Sequence, residues 1–196
     1  MTEDPYATPQ AVESAIRNAA RRAAAAEPRV RVGERIRQTD FDRFLCRIFA
    51  EGDRSEWLLK GGTGMLARVP TARATTDVDL FFNSYSLDEA INDLQRLARL
   101  DLGDHFRFVY VGHRQIVGGD QQPYANGARV TFEVYLGVQK RSNLGVDLVA
   151  MRGEAGMVHL AHPANRLDLP RLQVHPYRLY SVSSQIADKI CASMMT

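Results

Sequence analysis

Residues 57–82 read WLLKGGTGMLARVPTARATTDVDLFF, and this stretch decides the fold. Its first apolar run stops at the double glycine Gly61-Gly62, and the residues that follow predict a brief helix closed by a proline. Further on, DVDLFF alternates in the manner of a strand, which places Asp77 and Asp79 on one face and apolar residues on the other. The stretch therefore predicts a strand, a tight turn, a helix and a second strand.

Helix signals occur in four more segments. Thr8-Pro9 has the pattern of an N-cap followed by proline at the first helical position, and Ser86 opens a capping-box pattern. Between them, a basic connector precedes a stripe of apolar residues at helical spacing. The predicted helices run from residue 9 to about 27, from about 39 to 52, from 63 to 69, from 87 through 97 and from about 183 to the end.

Beyond residue 105 the sequence becomes rich in strand-forming residues. Three such runs are separated by Gly, Asn and Pro signals: Phe106 to Val111, Ala128 to Val138 and Gly145 to Ala150. Because strands and helices mix without a strict βαβ rhythm, we predict an α+β fold with a mixed, mostly antiparallel sheet and packed helices. We expect residues 1–55 to form a helical segment packed on a core formed by residues 56–196.

The composition is that of an ordinary globular domain, with 196 residues, 45% hydrophobic and 24% charged. No apolar run approaches the roughly 20 residues needed to cross a bilayer, and the acidic start does not resemble a secretion signal. We therefore expect a cytoplasmic protein with no membrane partner. The formal charge of +2 is too small to indicate nucleic-acid binding by itself, so such a partner needs local basic patches.

Three aspartates are the candidate metal ligands. Asp77 and Asp79 lie roughly 6.5–7 Å apart at Cα if they share a strand face, so both can reach a common cation. Asp147 stands alone in the apolar run GVDLV, where a metal would relieve its burial. Hard carboxylate oxygens suit Mg²⁺ or Mn²⁺. Taken alone, an Asp-x-Asp pair is more typical of a solvent-facing edge strand than of a metal site.

Two further features suit a phosphorylated substrate. Gly61 and Gly62 followed by Thr63 at a helix start present free N–H groups and the positive end of a helix dipole, although a plain tight turn has the same pattern. Lys189 lies beside the apolar positions of the last helix, where it either faces the acids as a compact cation or extends along the rim.

The segments KGGTGML (60–66), RATTDVD (73–79), GVDL (145–148) and IADKI (186–190) together resemble motifs of the AbiE-type (AbiEii/MenT-like) nucleotidyltransferase toxins of the DNA polymerase beta-like superfamily. The resemblance covers roughly residues 57 to 192 and implies a nucleotidyltransferase-like fold. The family pattern continues with an arginine-aspartate segment beyond the lysine helix. We therefore expect the core to be truncated at its C-terminus.

The resemblance also implies residue roles and partners. Family members are paired with an antitoxin, use an NTP, and add nucleotides, pyrimidines in particular, to tRNA acceptor ends. The implied nucleotide-binding residues are Gly61, Gly62, Thr63, Arg73 and Thr75. The implied catalytic residues are Asp77, Asp79, Asp147 and Lys189, of which the three aspartates bind divalent metal and the lysine neutralises the triphosphate.

We therefore hypothesise that two Mg²⁺ ions held by the three aspartates clamp an NTP while an acceptor hydroxyl attacks its α-phosphorus and pyrophosphate leaves. Two alternatives stay open: transfer to a protein or small molecule, and an inactive module that binds RNA or an antitoxin. Basic residues in the first helix and the connector favour an RNA acceptor: Arg17, Arg21, Arg22, Arg29, Arg31, Arg35 and Arg37.

Overall fold

A seven-stranded sheet organises the chain, whose computed structural model describes residues 4–27, 31–69, 75–84, 86–116, 126–151 and 157–194. The strands are β1 Trp57–Lys60, β2 Asp77–Phe82, β3 Phe106–Ile116, β4 Asn126–Leu136, β5 Gln139–Ala150, β6 His159–Ala161 and β7 Tyr177–Leu179. Their spatial order is β3-β4-β5-β2-β1-β7-β6.

Most neighbouring strands are antiparallel, and two pairs are parallel, β2 with β5 and β1 with β7. The α-helices described are α1 Pro9–Ala26, α2 Val32–Ile48, α3 Gly61–Arg68, α4 Leu87–Ala98 and α5 Val182–Met194, with a 3-10 turn at Gly52–Arg54. The predicted α+β class with a mixed, mostly antiparallel sheet is therefore confirmed. None of the helices in these ranges is both long and apolar enough to cross a membrane.

One face of the sheet is buried under helices. Val78 and Leu80 of β2 join a hydrophobic cluster with residues of α1, α2 and α4, and Val146 and Leu148 of β5 belong to the same cluster. Because side chains alternate along a strand, the residues between them project from the other face. The acidic positions of β2 and β5 therefore lie opposite the helical layer.

Helix α2 begins at Val32, so the prediction of a start near residue 39 was wrong. Residues 32–38 of the expected basic connector form the first two turns of the helix, and at its start the Glu34 carboxylate accepts from the backbone N–H of Arg31 at 3.1 Å. This part of α2 buries polar side chains, Arg35 among them, which gives it no apolar stripe to detect.

The strands also differ from prediction in extent. β3 continues past Val111 to Ile116, and β5 begins at Gln139 because its polar first residues pair with β4 across a hairpin that turns at Gly137, where φ is +60°. Strands β6 and β7 were missed, because each has three residues and is too short to show a period.

A buried ion-pair cluster fastens α2 to the start of β3. Asp104, 1% exposed, accepts from Arg47 at 2.6 and 3.0 Å and from Nε of Arg43 at 2.7 Å. Burial alone would raise the pKa of Asp104, but the hydrogen bonds from Arg47 and the charge of Arg43 outweigh it and hold that pKa below its ordinary value.

Replacing Asp104→Asn should lower the free energy of unfolding by about 3–5 kcal/mol, because two buried guanidinium groups lose their counter-charge. Urea denaturation at neutral pH measures the loss. The matched control is Asp101→Asn on the exposed loop nearby, expected within about 0.5 kcal/mol of wild type. Equal effects of the two substitutions would contradict a structural role for the cluster.

Candidate active site

A row of charged residues crosses five strands on the face away from the helices. Asp79 of β2 lies directly opposite Asp147 of β5 in parallel register. Lys60 of β1 faces Asp79 on one side, and Arg129 of β4 faces Asp147 on the other. Arg114 of β3 extends the row beyond Arg129. Two carboxylates are thus held side by side between cationic side chains.

Asp77 joins this row through Arg129. One guanidinium nitrogen of Arg129, Nη1, lies 3.0 Å from each carboxylate oxygen of Asp147. The other, Nη2, donates to Oδ1 of Asp77. Because Asp77 lies two residues before Asp79 on the same strand face, Arg129 ties the third acid to the other two.

The Asp79 carboxylate packs against the glycine turn that begins α3. It accepts a hydrogen bond from the backbone N–H of Gly62, in the first turn of the helix. Burial and the neighbouring charge of Asp147 raise the pKa of Asp79 above its ordinary value, while Lys60 and the Gly62 N–H act in the opposite direction. The helix start and the acidic row therefore form one site.

The Thr63 hydroxyl ties the helix that follows the glycine turn to strand β2, and a second hydroxyl bonds to the same carbonyl. The buried Thr63 hydroxyl donates to the backbone carbonyl of Asp77 at 2.9 Å, and the Thr75 hydroxyl donates to the same oxygen at 3.1 Å. Since the Thr63 hydroxyl is used inside the protein, the group that Thr63 can offer a phosphate is its backbone N–H.

The donor chemistry of the site fits a hard divalent cation. In the described ranges, no group of three His, Cys, Asp or Glu side chains is arranged to hold a metal ion. Mg²⁺, however, is commonly bound by one or two carboxylates together with substrate phosphates and water. Asp79 and Asp147, side by side in register, supply such a pair.

The sequence matches the family model of the nucleotidyl transferase AbiEii toxin, type IV TA system, over residues 43–195. The chain belongs to this family. The predicted resemblance is thus confirmed. No sequence among the curated proteins matched the chain.

Two solved structures from Helicobacter pylori are similar to this AbiEii-family chain. One is a candidate nucleotidyltransferase, with a TM-score of 0.47 and 11% identity over 79% of this chain and 56% of that one. The other is JHP933, with a TM-score of 0.46 and 12% identity over 79% of this chain and 54% of that one. The AbiEii-family chain spans about half the length of these proteins.

In this AbiEii-family chain, most of the predicted site residues lie together. The structure brings the following residues to one place: Gly61, Gly62, Thr63, Thr75, Asp77, Asp79 and Asp147. Arg73 lies outside the described residues. Lys189 belongs to α5, but its side chain is outside the described part.

The apolar positions of α5 are exposed rather than packed on the core. Val182, Ile186 and Ile190 are 42%, 54% and 52% exposed. The periodicity of α5 therefore predicts a helix correctly. It does not show that the apolar face packs on the core, because a periodic pattern carries no information about which element lies against that face. The role of Lys189 at the acidic site therefore stays a prediction.

Sequence reasoning missed Arg129 and Lys60. Arg129 interrupts an apolar strand between Ala128 and Val130, in the same way that Asp147 interrupts its own. That shared signal could have identified Arg129 as a member of the site. Its pairing with Asp147 follows from the register of the β4–β5 hairpin, which the sequence alone does not give.

Gly61 is required where Asp79 approaches the turn. Its φ is +63°, and a Cβ there would lie 2.0 Å from Oδ2 of Asp79. Gly61→Ala should therefore lower stability more than Gly103→Ala, which has a φ of +65° but no atom within 4 Å of an added Cβ.

Both substitutions share the cost of a left-handed conformation, about 1–2 kcal/mol, so the difference between them isolates the contact with Asp79. Urea denaturation of the two variants and wild type gives that difference. A Gly61→Ala variant no less stable than Gly103→Ala would show that Asp79 does not rest against the turn.

Proposed function

We propose that this AbiEii-family chain is a metal-dependent nucleotidyltransferase that transfers a nucleoside monophosphate from an NTP to the 3′ acceptor end of a tRNA. The observation that supports this most strongly is the register pairing of Asp79 with Asp147 beside the N-terminal turn of α3. That arrangement combines ligands for a cation with N–H groups for phosphate in one place.

Each group has a proposed role. Asp77, Asp79 and Asp147 hold Mg²⁺ or Mn²⁺, which when bound neutralises the triphosphate charge and polarises the reacting phosphate. The start of α3 at Gly61, Gly62 and Thr63 is proposed to face the nucleotide phosphates with the positive end of its helix dipole, while the Gly62 N–H donates to Asp79. The acceptor hydroxyl gives its proton to the Asp147 carboxylate as its oxygen bonds to the α-phosphorus, the bond to the bridging oxygen breaks, and pyrophosphate leaves.

Lys60 gains a proposed role from its position. It lies opposite Asp79 at the last residue of β1, directly before the glycine turn. A compact ammonium at this point favours the charged form of Asp79 and adds positive charge next to the phosphate-binding turn. Arg73 and Lys189 are proposed to add to the same positive charge, as the family resemblance implies.

A basic groove supports RNA as the acceptor. Arg17 and Arg21 of α1, Arg37 of α2 and Lys140 of β5 line a groove of about 490 Å³ between the helices and the β4–β5 hairpin. Arg17 and Lys140 each also pair with a glutamate. Within the described ranges, Arg21 and Arg37 are therefore the main free charges among these four. Basic side chains along a groove suit contacts with a phosphate backbone, which depend on charge rather than base sequence. A pyrimidine NTP is proposed from the family resemblance.

The remaining basic residues do not all belong to this groove. Arg35 is buried and donates to the backbone carbonyl of Asn165 at 3.2 Å, so the inclusion of Arg35 in an RNA-contact surface was wrong. Arg22 and Arg31 are exposed, and Arg29 lies outside the described residues.

The proposed biological context is a toxin controlled by a cognate antitoxin in the cytoplasm. Its organisation is proposed to be a nucleotidyltransferase core, residues 56–196, with residues 1–55 packed on it. In support of this, Val12 and Ile16 of α1 and Phe44 of α2 lie in the same hydrophobic cluster as the inward residues of β2.

Asp79→Asn should reduce transfer by at least about 100-fold while the chain stays folded, because the amide keeps the shape of the carboxylate but not its charge. Incubation with radiolabelled NTP, Mg²⁺ and total tRNA measures the rate. The control is Asp168→Asn at an exposed position, expected to match wild type. Undiminished labelling by the Asp79 variant would remove that residue from the mechanism.

The acceptor is identified by separating the labelled products. We expect label in an RNase-sensitive band of tRNA size, because the basic groove matches a phosphate backbone. Label in a protease-sensitive band would identify a protein as the acceptor, and label in a small molecule would identify that molecule instead. Absence of both transfer and metal-dependent NTP binding would support an inactive binding module instead.

A further inference from the structure

We infer that Arg129 is an internal counter-cation of the acidic row, which holds Asp77 and Asp147 while no divalent cation is bound and releases them when one binds. The inference rests on the proposed metal site. It adds a residue to that site whose charge competes with the cation for the same carboxylate oxygens.

The position of Arg129 is built by several strands. Its Nη1 reaches both oxygens of Asp147 at 3.0 Å, and its Nη2 donates to Asp77 on the next strand but one. Beneath this bridge lies Gly145, where an added Cβ would be 2.6 Å from Oδ1 of Asp77 and 2.7 Å from Nη2 of Arg129. The bridge therefore depends on a glycine at position 145.

Exposure distinguishes this bridge from the structural ion pairs of the core. The side chains of Arg129, Asp77 and Asp147 are 31%, 29% and 32% exposed, whereas those of Arg47 and Asp104 are 0% and 1% exposed. Water can replace hydrogen bonds at a site exposed to that degree, so breaking the bridge costs far less than breaking the buried cluster. The Arg129 guanidinium can therefore be displaced from the two carboxylates.

Without a bound divalent cation, the surrounding charges hold the Arg129 guanidinium against the carboxylates of Asp77 and Asp147. Arg114 lies directly opposite Arg129 on β3, and like charges in that relation repel. Within the described ranges, the acids that pair with Arg129 are Asp77 and Asp147. Without Arg129, the carboxylates of Asp77, Asp79 and Asp147 would share one face of the sheet, with Lys60 as a neighbouring cation.

A divalent cation and the Arg129 guanidinium compete for the same carboxylates. Nη1 of Arg129 contacts both oxygens of Asp147, and its positive charge so close to them opposes a second cation on that carboxylate. Binding of the cation therefore includes the cost of displacing the guanidinium. Removing Arg129 should make cation binding tighter, whereas a residue that only organises the ligands would make it weaker when removed.

The test is Mn²⁺ binding to the full chain, followed by electron paramagnetic resonance of free Mn²⁺ at neutral pH and fixed ionic strength. Arg129→Gln should bind Mn²⁺ at least about fivefold more tightly than wild type. The matched control is Arg96→Gln, which removes an arginine that also bridges two carboxylates, those of Glu51 and Asp93. Arg96 belongs to α4, which packs on the opposite face of the sheet from the acidic row. The Arg96→Gln variant should bind Mn²⁺ as wild type does.

Two more variants distinguish a failure of this inference from a failure of the proposed metal site. Arg129→Lys, in which one ammonium replaces the two-pronged guanidinium, should tighten Mn²⁺ binding less than Arg129→Gln but in the same direction. Unchanged or weaker binding by both Arg129 variants, with folding verified by circular dichroism, would overturn this inference alone. Wild-type affinity in Asp79→Asn would instead overturn the proposed metal site.

Discussion

The register between β2 and β5 is the constraint on which the site depends. It places Asp79 directly opposite Asp147, and like charges in that relation destabilise a sheet unless other groups compensate. The surrounding structure supplies that compensation from three directions: Lys60 on β1, the Gly62 N–H at the start of α3, and Arg129 on β4. The same accumulation of negative charge that costs stability provides affinity for a cation.

The hydrophobic face of the sheet holds this register in place. Val78 and Leu80 on β2 and Val146 and Leu148 on β5 are fully buried, so a slip by one residue would expose all of them and turn the acids into the core. The core thus fixes the positions of the aspartates without contacting their carboxylates. Packing of α1, α2 and α4 on one face leaves the other face available for chemistry.

Helices and strands with a clear signal in their own sequence were the ones predicted correctly. The alternation in DVDLFF gave β2 its bounds, and the N-cap residues Thr8 and Ser86 gave the starts of α1 and α4. The start of α2 was not predictable from apolar periodicity, because its first turns bury polar residues, among them Arg35, whose partner Asn165 is distant in sequence. The bridge between Arg129 and two aspartates was equally inaccessible, since it requires the pairing of β4, β5 and β2.

The most direct test of the account is the location of the cation in a crystal soaked with Mn²⁺ and a non-hydrolysable NTP, read from anomalous scattering. The account predicts a peak within about 2.5 Å of carboxylate oxygens of both Asp79 and Asp147, with the phosphates at the Gly61-Gly62 turn. A cation bound away from these two strands, or by Asp79 without Asp147, would contradict it.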